Sequence, residues 1–279
     1  MFSFSAATLF GVTEFLIYLG GLGLLGAWFL APRLQPWRTA SGQPPRWDTP
    51  LAETGLLICL VVFAALLGPV ATTSLGRALG YAANEIWSTM WSLVGFHGGT
   101  LLAVAAFALH SRALPPVHAR RGRSFGDDVL LGAAVFCAAM PLVGATALLS
   151  VKAAHALGIP VHSQEIAELF ARAGSPGLLL LLTSFSVSLV PLNEELLFRA
   201  GLFRILRAYT PLWAALLVSG VVFASFHFSA VYFLPLTVLG GLLAYAYEKT
   251  GSLVVPVVAH GLFNLNSIIG IISGMSDLP

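Results

Sequence analysis

Two adjacent acids and an arginine stand near the end of an apolar stretch in the last third of the chain. Glu194 and Glu195 are followed by Arg199, four positions after the second acid. Residues four apart share a helix face, so Glu195 and Arg199 can neutralise each other. Glu194 is rotated by about 100° from Glu195 on a helix, which leaves it free to face a cavity. The pattern predicts one paired carboxylate and one that can transfer a proton.

Two histidines and an asparagine follow in separate apolar stretches. His227 comes four residues after Phe223, and His260 precedes Asn264 by four. The second spacing places imidazole and amide on one helix face, where both can donate to a single oxygen, as in an oxyanion hole. Simpler roles are also open at this point. The charged cluster can be a helix end that reaches cytoplasmic headgroups, and each histidine can bond a neighbouring helix.

The elements that must position these side chains are membrane helices. Apolar residues make up 57% of the 279 positions and charged residues only 9%, with a mean hydropathy of +0.87. A soluble domain carries about a quarter charged residues, and the apolar runs lack the alternation of barrel strands. We therefore predict an all-α polytopic membrane protein with eight spans, near residues 8–31, 52–73, 88–110, 128–150, 177–199, 212–229, 231–247 and 252–272.

The distribution of basic residues predicts the orientation of these spans. With the N-terminus outside, eleven of the fourteen Lys and Arg residues fall on the inner side, and the other three are Arg77, Lys152 and Arg172. By the positive-inside rule, both termini are then extracytoplasmic. The composition, rich in Ala, Gly and Leu, favours a prokaryotic plasma membrane. A formal charge of +2 gives no reason to expect a nucleic-acid partner.

The chain divides by motif content rather than by domain boundaries. We predict one membrane domain over residues 1–279, with accessory helices and loops in 1–176 and a motif-bearing catalytic core in 177–272. Residues 153–174 fit either an amphipathic helix on the outer surface or a connecting loop. Four further polar residues are expected to have structural or interfacial roles, namely Glu14, Glu85, His97 and His110.

The three elements together resemble the CAAX protease and bacteriocin-processing family of intramembrane proteases, which includes the type II CAAX prenyl endopeptidases. The matching patterns are E-E-x-x-x-R from Glu194, F-x-x-x-H ending at His227, and H-x-x-x-N from His260. They occur in this order on separate apolar helices. Residues 247–252 lead into the last of these helices, as in many sequences of the family. The resemblance covers roughly residues 177–272. It implies a helical bundle whose cavity opens to the cytoplasm, and hydrolysis of a peptide bond.

The resemblance also implies roles for individual residues. Glu194 and His227 would activate the attacking water, while His260 and Asn264 would stabilise the oxyanion. Glu195 and Arg199 would orient the site, with Phe223 as a supporting residue. The implied substrate is a peptide or a membrane-protein segment, prenylated or not, which the enzyme would bind within the lipid bilayer. The resemblance implies no cofactor.

Other functions compete with this one. A zinc protease could use Glu194, His227 and His260 as metal ligands, although the chain has no H-E-x-x-H sequence. A transporter or membrane scaffold could use the buried acids as a proton relay. An inactive family member that binds other proteins is a further alternative. The presence of every motif residue argues against it.

Overall fold

The computed structural model describes residues 5–37, 44–45, 47–81, 85–111, 123–161, 169–170 and 173–274. Within these ranges the chain is helical, without strands, which confirms the predicted fold class. A 3₁₀ turn, Pro32–Leu34, follows the first of eight main helices. These are α1 Ala6–Leu30, α2 Leu51–Ala78, α3 Glu85–Ser111, α4 Phe125–Ala156, α5 Pro176–Tyr209, α6 Leu212–Ser225, α7 Phe233–Thr250 and α8 Val254–Ile272.

The eight helices lie where the eight spans were predicted, but among the described residues only six are long and apolar enough to cross a membrane. These six are α1 to α5 and α8. Helix α6 has 14 residues, which gives a length of about 21 Å against a hydrocarbon core of about 30 Å. It ends at Ser225 rather than at the predicted 229, and Phe228 has a φ of 50°, a left-handed conformation that an α-helix does not contain.

Two pairs of neighbouring helices pack closely through glycines. A Cβ atom added to Gly68 of α2 would overlap the carbonyl of Gly95 in α3, and one added to Gly220 of α6 would overlap that of Thr237 in α7. Each pair is antiparallel, because residues nearer the end of one helix contact residues nearer the start of the other. Small residues permit this close approach between membrane helices.

Helix α8 lies at the centre of the described part of the bundle. It packs on α4 and α7 in the main core, where Phe136 and Phe263 meet edge to face with ring centroids 5.0 Å apart. Its other face approaches α5 at Gly261, where a Cβ atom would overlap the carbonyl of Val187. This glycine therefore brings α8 close to the helix that carries the two adjacent acids.

Polar residues outside the motifs have mainly structural positions. The Oε1 atom of Glu14 accepts a hydrogen bond from Nδ2 of Asn266 at 3.0 Å, which links α1 to α8. Glu85 lies in the first turn of α3 and His110 in its last. In the segment 153–174, predicted as a surface helix or a connecting loop, residues 162–168 and 171–172 lie outside the described residues. Helix α4 covers its start, and Leu169 and Phe170 are buried.

Candidate active site

Helix α5 is not a regular α-helix around the two acids. The α-helical stretch Val190–Glu195 lies between two π-helical segments, Phe185–Leu189 and Leu196–Phe203. Such wide turns rotate the following side chains relative to an α-helix and are frequent at functional sites. Pro191 accounts for the first segment, since it has no N–H to donate to the preceding turn.

Asn264 of α8 satisfies a carbonyl of this irregular turn. Its Nδ2 atom donates to the Ser186 oxygen at 2.8 Å. Ser186 stands five residues before Pro191, so its carbonyl is the acceptor that a π-helical N–H at 191 would have used. The side chain of Asn264 thus replaces the missing backbone donor and keeps a second N–H for another acceptor.

Glu195 and Arg199 form the ion pair that the sequence predicts. Nε of Arg199 lies 2.9 Å from Oε2 of Glu195, and both side chains are fully buried. The guanidinium also donates to the carbonyl oxygen of Gly240 at 3.1 Å and lies 4.7 Å from the ring centroid of Phe223. These contacts offset the desolvation that burial of two charges costs.

His260 lies between the two acids. Its Nδ1 atom is 2.8 Å from Oε1 of Glu195, while its Nε2 atom faces Oε2 of Glu194 at 3.8 Å. The bond to Glu195 places a proton on Nδ1 and fixes the ring with Nε2 towards Glu194. The Glu194 side chain is 17% exposed, whereas that of Glu195 is 0% exposed. Glu194 is therefore the more exposed of the two acids.

His227 lies just beyond the end of α6, not deep within a helix as the sequence suggested. Its Nδ1 atom is 2.9 Å from the carbonyl oxygen of Phe223. A carbonyl only accepts, so Nδ1 carries the proton and Nε2 keeps a lone pair. The Phe223 ring centroid is 4.7 Å from that of His227 and 5.6 Å from that of His260. Among the described contacts, His227 joins the cluster through this ring rather than through a hydrogen bond to either acid.

The two donors expected at an oxyanion hole have different partners in the structure. His260 bonds Glu195, and Asn264 bonds the Ser186 carbonyl. Both partners belong to α5, so the shared face of His260 and Asn264 holds α8 against that helix. These two hydrogen bonds do not use Nε2 of His260 or the second N–H of Asn264.

Asn193, which sequence reasoning did not single out, is also fixed by side chains. It is fully buried and contacts His97 and Thr100 of α3. The spacing of three between His97 and Thr100 places them on one face of α3 but gives no indication that Asn193 is their partner.

The zinc alternative requires three ligands at one point. In the part of the chain that the structure describes, no three His, Cys, Asp or Glu side chains converge closely enough to hold a metal ion. Glu194, His227 and His260 are therefore not assembled as a metal site among these residues.

Residues 176–266 match the family model described as Rce1-like: Type II CAAX prenyl endopeptidase Rce1-like. This range contains all seven motif residues discussed above. The C-terminal third of the chain is therefore similar to the Rce1-like family. The Rce1-like segment begins at α5 and reaches into α8, so α1 to α4 lie outside it. The family suggested by the motifs is thereby confirmed.

A longer similarity extends beyond the Rce1-like segment. The chain is 25% identical over 214 residues to a protein of Bacillus subtilis (strain 168) described as "Putative membrane peptidase YdiL". That alignment covers 75% of this chain and 84% of the relative. No solved structure matches the chain. Together with the six candidate spans, these similarities describe a multi-pass integral membrane protein.

Proposed function

We propose that this protein is an intramembrane endopeptidase that hydrolyses a peptide bond with water activated by Glu194. The observation that carries the proposal is the position of His260 between Glu195 and Glu194, inside the Rce1-like segment. A histidine oriented by one carboxylate and facing a second, partly exposed one is suited to proton transfer. A transporter or scaffold explains this arrangement less directly.

The charge balance of the cluster supports a single transferable proton. Glu194, Glu195 and Arg199 together carry one net negative charge when all are ionised. One proton added to either Glu194 or His260 makes the cluster neutral. In the proposed resting state the proton is on His260, so Glu194 is ionised and can act as a base.

The proposed reaction uses each remaining atom of the site. Glu194 takes a proton from water, whose oxygen forms a bond to the carbonyl carbon, and Nε2 of His227 accepts a hydrogen bond from the same water. Nε2–H of protonated His260 and the free N–H of Asn264 stabilise the oxyanion. The C–N bond then breaks, and Glu194 returns its proton to the leaving amine.

The substrate we propose is an extended peptide or membrane-protein segment. A helical amide is already hydrogen-bonded within its own helix, so the scissile segment must unfold locally before water can attack. The description of the Rce1-like family makes a prenylated C-terminal peptide the first candidate. Access would be through a cavity within the bundle that opens to the cytoplasm.

We also propose that both termini lie outside the cell, in a prokaryotic plasma membrane. In support, α1 and α8 are antiparallel, because Phe10 contacts Gly270 while Glu14 contacts Asn266. The start of α1 and the end of α8 therefore lie at the same side of the bundle. The short helices α6 and α7 form an antiparallel pair. The chain therefore enters α8 from the same side of the membrane whether the pair crosses the bilayer fully or turns back within it.

This orientation can be measured with reporter fusions. Alkaline phosphatase, which is active only outside the cytoplasm, should be active when fused at either terminus. Green fluorescent protein should be dark at those points and fluorescent when inserted between α3 and α4, within residues 112–122. A fluorescent C-terminal fusion would overturn the proposed orientation.

The proposed activity is tested with detergent-purified protein and a panel of quenched fluorescent peptides, prenylated and unprenylated. We expect cleavage of at least one peptide, with mass spectrometry showing two products that together gain one water. Absence of cleavage across a panel that a known Rce1-like enzyme cleaves would contradict the proposal.

A further inference from the structure

We propose that His97 and Thr100 of α3 are positioning residues that hold Glu194 in place through Asn193. The inference rests on the proposed function and extends it to a helix outside the Rce1-like segment. It gives a catalytic purpose to a part of the chain in which the sequence shows no motif.

The side chains of His97 and Thr100 both form hydrogen bonds with Asn193. Nδ2 of Asn193 lies 2.9 Å from Oγ1 of Thr100 and 3.0 Å from Nδ1 of His97. Asn193 and Thr100 are 0% exposed and His97 is 4% exposed. Burial makes each of these hydrogen bonds costly to lose.

The chemistry of the group fixes the amide of Asn193. An amide nitrogen only donates, so Nδ1 of His97 is the acceptor and the proton of that ring is on Nε2. Oγ1 of Thr100 accepts the second amide hydrogen and lies 2.7 Å from the carbonyl oxygen of Phe96, to which it donates. Both hydrogens of the amide are thus bound by α3.

Glu194 needs such support more than Glu195 does. Glu195 is held directly by Arg199 and His260. Oε2 of Glu194 is buried without a hydrogen-bond partner among the described residues. Its position therefore depends on its backbone, and Asn193 is the residue immediately before it.

The backbone here has little regular structure of its own to rely on. Val190–Glu195 is a six-residue α-helical stretch between two π-helical segments. Helix α3 contacts it at Asn193, and the ring of His97 also packs edge to face on Phe185, the first residue of the preceding π segment, with centroids 5.5 Å apart. One helix thus holds both the start of the irregular region and the residue before the proposed base.

The test separates positioning from packing by paired variants. Thr100→Val and His97→Leu remove an acceptor for the amide of Asn193. Thr100→Ser keeps the hydroxyl, and His97→Asn keeps an acceptor near the position of Nδ1. Thr89→Val is the matched control, since it makes the same change elsewhere on α3. For all five variants we would measure kcat, KM and thermal unfolding, beside wild type and Glu194→Gln.

We expect Thr100→Val and His97→Leu to lower kcat by about 10- to 100-fold, because small displacements of a catalytic group have effects of this size. KM should change by less than about twofold, since these residues do not touch substrate. Thr100→Ser, His97→Asn and Thr89→Val should keep kcat close to wild type.

Two results would overturn the inference while the proposed function stands. One is a wild-type kcat in both Thr100→Val and His97→Leu while Glu194→Gln is inactive. The other is a loss of kcat that follows thermal stability alone and is equal in the conservative variants. If wild type cleaves no peptide, or Glu194→Gln cleaves as wild type does, the proposed function itself fails and this inference with it.

Discussion

Replacement of Glu194 by glutamine should lower the rate of peptide cleavage by about 10² to 10⁴-fold, the usual contribution of a general acid–base group. Gln fills the same volume and can still hydrogen-bond, but it cannot take a proton from water. Because Glu194 is partly exposed and has no direct ion pair with Arg199, the protein should remain folded. The measurement is kcat/KM beside the midpoint of thermal unfolding in detergent.

The matched control is Glu14→Gln, which changes another membrane-helix acid that bonds Asn266 rather than the site. This variant should cleave as wild type does. His227→Ala and His260→Ala should also lose cleavage, as the proposed mechanism requires. If Glu194→Gln keeps more than about a tenth of the wild-type kcat/KM, the loss is too small for a general base, and the proposed role of Glu194 is contradicted.

Replacement of Arg199 by alanine should have the largest effect on folding. Arg199 is fully buried and is the cation that neutralises Glu195. Its removal leaves a buried carboxylate without its ion pair and the Gly240 carbonyl without its donor, a loss of about 3–5 kcal/mol in systems of this kind. We expect low expression and a strongly lowered unfolding midpoint, with any remaining folded protein inactive.

Arg207→Ala is the matched control on the same helix. Arg207 pairs with Glu248 at 3.1 Å, but its side chain is 35% exposed. An ion pair in contact with solvent contributes about 0–1 kcal/mol, so this variant should express and unfold almost as wild type does. Equal loss of expression in both arginine variants would show that burial of the Glu195 pair is not what stabilises the site.

The sequence predicts the helices well because membrane spans leave a strong signal. Runs of about twenty apolar residues allow few structures in lipid, and the helices of the structure lie where these runs do. The pair Glu195 and Arg199 was predictable for a similar reason, since spacing by four on a helix places two side chains together. The family was predictable because three motifs on three helices occur in a fixed order.

Local backbone irregularities were beyond the reach of the sequence. A period of 3.6 residues assumes a regular helix, whereas α5 contains two π-helical segments around Glu194 and Glu195. The same assumption extended α6 past Ser225, although the left-handed Phe228 lies three residues further on. His227 was thus placed inside a helix instead of beyond its end.

Contacts between distant segments were also hidden. The spacing of residues along α3 does not predict that His97 and Thr100 bond Asn193, which lies more than ninety residues away in the chain. Likewise, the spacing of His260 and Asn264 predicts that they share a helix face. It does not predict that His260 bonds Glu195 or that Asn264 bonds the Ser186 carbonyl. These depend on how α8 approaches α5, which packing decides.

We propose that Glu194, rather than a bound metal ion, activates the attacking water. The most direct test is the rate of peptide cleavage by wild-type protein before and after exhaustive dialysis against a zinc chelator, with the residual metal measured by mass spectrometry. We expect an unchanged rate in metal-free protein and no gain when zinc is returned. A rate that falls in proportion to the metal removed, and recovers when zinc is added, would contradict it.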